Sequence, residues 1–120
     1  MRIRVKRIYE DAADDDGYRA LVDGMWPRGV AKRDARLDAW PKSLAPSKEL
    51  RRWFGHDRER WEGFHDAYWR ELDAADQDIQ EILDDLQSHA GDEGLTLIFA
   101  AKDTECNNAV VLKRYLERAE

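Results

Sequence analysis

The segment LTLIFAA, Leu95 to Ala101, has almost no polar side chain. A strand of this composition is covered on both faces, which usually means a parallel sheet packed between helices. It runs directly into KDTECNN and then AVVLKRYL, where Leu112, Tyr115 and Leu116 recur at helical spacing. A buried strand, a short turn and a helix packing back form half of a βαβ unit. That combination sets the expected class as α/β.

The rest of the chain supplies partners for that strand. IRVKRIY alternates in the manner of a strand. EDAADDDG is a loop with room for a short turn. YRALVDGMW contains the continuous apolar core Ala20, Leu21 and Val22, and Pro27 should end it because proline has no N–H for a ladder. Ala31 to Ala35 reads as a helical turn, and Leu37 to Trp40 as a short strand stopped by Pro41. Ser47 is a good N-cap for a helix through Leu50, Trp53 and Phe54 that ends at Gly55. Asp57 can cap the next helix. There Trp61, Phe64, His65, Tyr68, Trp69 and Leu72 follow the helical repeat and form a wide aromatic face. That face reads as core, and His65 as a hydrogen-bonded member of it. A further helix carries Ile79, Ile82, Leu83 and Leu86 and stops near Gly91. No repeat or linker interrupts the chain. The expectation is one α/β domain over residues 1–120, with a mostly parallel three- to four-stranded sheet flanked by helices.

Charge narrows the function classes. The chain has 120 residues, 38% of them charged, and a net charge of -6. From Asp57 to Glu93 there are thirteen acids against three bases, while Trp26 to Lys42 holds five bases against two acids. The acidic balance argues against general nucleic-acid binding. No apolar run approaches the ~20 residues of a membrane span, and MRIRVKRIY lacks the apolar centre of a signal peptide. With one cysteine there is no internal disulfide, so a reduced, cytoplasmic setting is expected. His56, His65 and His89 are scattered without metal-ligand spacing, and there is no G-x-G-x-x-G or P-loop. No motif names a cofactor, and the oligomeric state stays open.

Ligands of open parallel sheets bind beyond the carboxyl ends of the strands. Three stretches therefore matter. In VDGMWPRG, Asp23 is a carboxylate behind an apolar run, to be paired with Arg28 or with backbone N–H groups, and Trp26 can wall a pocket. In WPKSLAPS, Trp40 offers a second wall and Lys42 a cation, while Ser47 serves the helix. In KDTECNN, Asp103 or Thr104 can cap the last helix. Asn107 and Asn108 need another reason, because asparagine is a mediocre helix former and its amide both donates and accepts. Cys106 near a helix start could be a nucleophile, but Asp103 and Glu105 beside it would raise its pKa.

The blocks VKRIY, DGYRALVDGMWPRG, LDAWPKSLAPSKELRRWFGHD and AAKDTECNNAVVLKRYL together resemble the YeaO-like branch of the DUF488 family over nearly the whole chain. The resemblance implies a compact α/β domain and no established activity. It carries Asp23 and Arg28 over from a strand-end acidic residue and its proline-containing loop. In that branch the element before the last helix reads acidic residue, His, Asn, Asn; here Cys106 stands in the histidine's place while Asn107 and Asn108 match. This shifts weight from acid–base chemistry to the asparagines. Nothing in the residues supports the labels uroporphyrin-III methyltransferase or MarR-type regulator that relatives sometimes carry.

Two functions are expected from these features. One is binding of a small anionic ligand at the strand ends, with Arg28, Lys42, Trp26, Trp40, Asp103, Asn107 and Asn108 as binding residues and Asp23 or Cys106 as catalytic candidates. The other is a non-catalytic interaction module or homodimer, using the acidic helical face or an exposed Trp surface.

Overall fold

The computed structural model describes residues 2–75 and 77–118. Three strands, β1 (Ile3–Arg7), β2 (Tyr18–Leu21) and β3 (Leu95–Phe99), form a sheet in the order β1-β3-β2. Both pairings are parallel, with Val5 opposite Leu97 on one side and Ala20 opposite Leu97 on the other. The most apolar strand is therefore the central one, and all five of its residues are buried. Hydrogen bonds on both edges and cover on both faces account for its nearly apolar composition.

Side-chain parity divides the core. Ile3, Ala20, Val22, Leu95, Leu97 and Phe99 face the layer of long helices. That layer comprises α2 (Lys48–Phe54), α3 (Trp61–Asp73), α4 (Gln77–His89) and α5 (Asn108–Glu117). Leu21 and Ile98 point the other way with Ile8, under the short helix α1 (Lys32–Ala35) and the loop residues Trp26, Val30, Leu37 and Trp40. This second face also buries charge. Asp16 and Arg19 are 3% and 4% exposed. Arg19 donates to Asp16 at 2.6 Å and to the carbonyls of Ala35 and Arg36 at 2.9 and 3.1 Å. Lys6 reaches the same carboxylate at 3.1 Å, and the Thr96 hydroxyl donates to the Asp16 carbonyl. The charges can be buried because every one of them is paired.

Several boundaries fall where local chemistry puts them. Ser47 caps α2 by accepting from Leu50 N, and Gly55 ends it in the left-handed region at φ 52°. Asp57 caps a 3-10 turn (Arg58–Arg60) that leads into α3. On α3, Phe64, Tyr68 and Leu72 are buried, while Trp61, His65 and Trp69 are half-buried. The expected hydrogen bonding of His65 is partial: Nδ1 lies 3.2 Å from Asp66, while the buried Nε2 has no hydrogen-bond partner.

Three expectations change. The second strand ends well before Pro27, because Val22 N still donates to Ile98 O but the chain then turns at Asp23. The segment Leu37 to Trp40 makes a single parallel bridge, Ala20 to Ala39, so it covers the β2 edge without adding a full strand. The cap of α5 is Asn107, not Asp103 or Thr104; its Oδ1 accepts from Val110 N at 3.1 Å. Asp103 lies four residues too early and serves the preceding turn.

Candidate functional site

The carboxyl ends of the strands meet at Asp23. The turn after Val22 aims its side chain across the sheet end. Asp23 Oδ2 accepts from Ala100 N at 2.9 Å, just beyond β3. Oδ1 accepts from Asn108 Nδ2 at 3.0 Å, and the same amide donates to Val22 O at 3.0 Å. One carboxylate thus ties β2 to the exit of β3 and to the first turn of α5. Burial raises its pKa, while the Asn108 and Ala100 hydrogen bonds and the charges of His56 and Arg51 oppose the rise. The expected partner Arg28 is absent from this set, and the backbone-N–H alternative is the one that forms.

The tryptophans frame this corner. Trp40 Nε1 donates to Asp23 O at 2.8 Å, and Trp26 meets Trp40 edge-on at 5.2 Å between ring centroids. Trp26 spends its own N–H on Val30 O, closing its loop. Lys42 Nζ sits 4.1 Å from the Trp40 ring centroid, a cation–π contact, and makes no ion pair among the described residues. From α2, Arg51 reaches in over Gly24. Its Nη1 lies 2.9 Å from where a Cβ on Gly24 would stand. Its guanidinium makes no hydrogen bond or ion pair among the described residues. His56, at φ 58°, follows Gly55 into the left-handed region, and its charge is felt by Asp23.

The turn before α5 is a separate cluster. Asp103 accepts from Glu105 N and Cys106 N at 2.9 and 3.0 Å. Arg58 grips it in bidentate fashion at 2.7 and 2.9 Å. The Cys106 N–H, Arg58 and the Glu105 N–H together hold its carboxyl down at about 2. Asn107 is 1% exposed and donates through Nδ2 to Asp103 O at 2.9 Å while capping α5. Cys106 is 9% exposed; burial pushes its thiol pKa up, and Asp103 pushes it further. A buried thiol with a raised pKa is a poor nucleophile.

Asp103 gives an acid-sensitivity prediction. Its folded pKa lies below the unfolded value of 3.8, so its contribution is present above that value. It is lost as pH falls from 3.8 toward about 2. Arg58→Ala should remove much of that acid dependence with only a small loss of stability at pH 7, because Arg58 is exposed and its pair screened by solvent. Urea titrations of both proteins between pH 2 and 7 check it. Parallel pH curves would show that Arg58 does not set the Asp103 pKa.

The structure brings Asp23, Asn108, Trp26, Trp40 and Lys42 together. It links Asp103 to Asn107 and Cys106 in the neighbouring turn. Arg28 stands apart: its carbonyl accepts from Tyr9 OH at 2.9 Å, the residue is exposed, and among the described residues no hydrogen bond joins it to either asparagine. The polar strand-end groups close on one another instead of lining a deep cleft. Two open surface cavities, of about 350 and 630 Å³, are lined by other residues, among them Trp69 and Arg70 for the first and Tyr9 and Arg33 for the second. Sequence reasoning missed Gly24, Arg51 and His56. Gly24, a lone glycine at a strand end, carried a local signal of close approach; Arg51 carried none, since its neighbour belongs to a distant loop.

Among the described residues no group of three or more His, Cys, Asp or Glu is placed to hold a metal ion. No helix of those residues is long and apolar enough to cross a membrane. Of the five tryptophans only Trp53 is exposed, at 45%, and it lies against Gly63 with Arg60 over its ring.

Comparison with known proteins matches residues 2–120 to a family model described as the inactive DUF488-N3 subclade. An uncharacterised protein of Escherichia coli (strain K12), YeaO, is 40% identical over 97% of this chain and 97% of its own length. An uncharacterised protein of Mycobacterium tuberculosis (strain H37Rv), Rv3073c, is 41% identical over 96% of this chain and 93% of its own. No solved structure matches the chain.

Proposed function

The chain belongs to the inactive DUF488-N3 subclade of DUF488 proteins, and we propose that it is a binding domain for a small anionic ligand, not a catalyst. The ligand sits over the strand ends, against Trp40 and the Asp23–Gly24 corner. The observation that carries this reading is that Arg51 lies over Gly24 and Lys42 over the Trp40 ring, both lacking any acidic partner within 4 Å among the described residues. Asp23 accepts from Ala100 N and Asn108 Nδ2 and makes no hydrogen bond or ion pair with Arg51 or Lys42 among the described residues. Cationic side chains around a low-dielectric wall raise the local concentration of anions.

The absence of catalysis follows from how the reactive groups are spent. Asp23 is bonded through both oxygens, Asn107 caps a helix, Asp103 is paired with Arg58, and the Cys106 thiol is buried. The word inactive in the family description agrees with this. A buried free cysteine is compatible with a reducing, cytoplasmic compartment. The alternative of a Trp-rich docking surface has less support, since only Trp53 is exposed.

A thermal-shift screen of small carboxylates, phosphates and sulfates tests the proposal. A ligand at 100 times its dissociation constant should stabilise the parent by about 2.7 kcal/mol. Arg51→Ala and Lys42→Ala should each reduce the shift, and Arg28→Ala decides whether the exposed loop arginine belongs to the site. If no anion shifts the parent, or the shift survives in Arg51→Ala, the reading fails.

A further inference from the structure

We infer that Gly24 is the seat of an oxyanion-gripping arginine: the missing Cβ leaves the space in which Arg51 lies, and the site takes a carboxylate or phosphoryl group in the fork of that guanidinium. This rests on the binding role proposed above and names the group that makes first contact.

The geometry is specific to this corner. A Cβ on Gly24 would stand 2.9 Å from Arg51 Nη1, 3.4 Å from its Cζ and 3.4 Å from Ala45 Cβ. Gly24 has no left-handed φ, so its backbone does not require glycine. What a side chain would displace is the far end of Arg51. A guanidinium presents its N–H donors in a planar fork that matches the spacing of two oxygens on carboxylate or phosphate. Here those donors have no protein acceptor among the described residues. Asp23, on which Arg51 acts electrostatically, has its oxygens directed to Ala100 N and Asn108 Nδ2. Lys42 stands over the Trp40 ring, whose Nε1 donates to Asp23 O.

Gly24→Ala isolates this idea because it keeps every charge. Binding of inorganic phosphate, sulfate and oxalate is measured at low ionic strength on the parent, Gly24→Ala, Arg51→Lys and Arg51→Ala. Gly24→Ala should melt within about 3 °C of the parent, since the clash falls on a flexible side chain, and should bind about tenfold more weakly, the worth of one charge-assisted hydrogen bond. Arg51→Lys should behave like Gly24→Ala, because charge without the fork is not enough. Oxalate against phosphate shows which oxyanion the fork prefers. A second readout needs no ligand: the Asp23 carboxyl, followed by NMR, should titrate higher in Gly24→Ala than in the parent, as it should in Arg51→Ala. If the parent binds none of the three anions but Asp23 still moves in Gly24→Ala, the ligand reading is overturned and the seat stands. If Gly24→Ala binds like the parent and leaves Asp23 unmoved, or if it unfolds, the seat is overturned.

Discussion

Arg19→Met is expected to cost about 3–5 kcal/mol of folding free energy, the usual loss on breaking a buried ion pair from one side. Arg19 is 4% exposed and donates to Asp16 and to the carbonyls of Ala35 and Arg36. Methionine fills much of the same volume but leaves two carbonyls unpaired. It also leaves Asp16 with Lys6 as its only cationic partner among the described residues. Single domains are stable by about 5–15 kcal/mol, so the loss is a large share of the total. Burial raises the Asp16 pKa, but the Ala13 N–H, Lys6 and Arg19 outweigh it, and the net shift is downward. In the parent this stabilisation is therefore present above 3.8 and is lost as pH falls through the lowered value. Without Arg19 the Asp16 pKa should rise, so the deficit against the parent should shrink in acid. Urea unfolding at pH 7 and pH 4 measures both effects. A loss below about 1 kcal/mol at pH 7 would mean that water reaches this belt and replaces the arginine.

Asn108→Ala should have the next largest effect, about 1–3 kcal/mol at pH 7, the cost of leaving buried polar atoms unpaired. One amide nitrogen serves both Val22 O and Asp23 Oδ1 at 3.0 Å. Its removal leaves Asp23 with Ala100 N alone, so the carboxyl pKa should rise above its already raised value. A group with a raised folded pKa favours the folded state below the unfolded value of 3.8. That advantage disappears as pH rises through the folded pKa. The variant should therefore be closest to the parent at low pH, where Asp23 is protonated in both, and furthest from it near neutrality. Equal losses at pH 4 and pH 7 would show that Asn108 acts only through Val22 and not through Asp23.

The same residues show how much was legible beforehand. Asn107 and Asn108 stood out because two asparagines in a helix start need a purpose, and each has one. Those purposes differ. The cap made by Asn107 spans three residues to Val110, a distance at which sequence patterns are informative. The bond from Asn108 to Asp23 spans 85 residues, and no local window contains it. Asp103 was misassigned as the cap for a related reason: its two N–H bonds, to Glu105 and Cys106, look like a helix start but close a turn one step earlier. Arg28 drew attention as the cation next to Asp23 in the chain, yet Arg51 from α2 is the one that approaches.

The sequence by itself determined the α/β class, the burial of Leu95–Phe99 and the caps at Ser47 and Gly55. It also determined the aromatic core face of α3. These rest on periodicity and on hydrogen bonds within a few residues, which a reader of the chain can count. Only the tertiary structure decided the order β1-β3-β2, the burial of Arg19 with Asp16, and the meeting of Asp23, Asn108, Gly24 and Arg51. Burying a charge is tolerable only when its partners arrive from elsewhere, and a guanidinium can lie over a glycine only once two distant segments have packed.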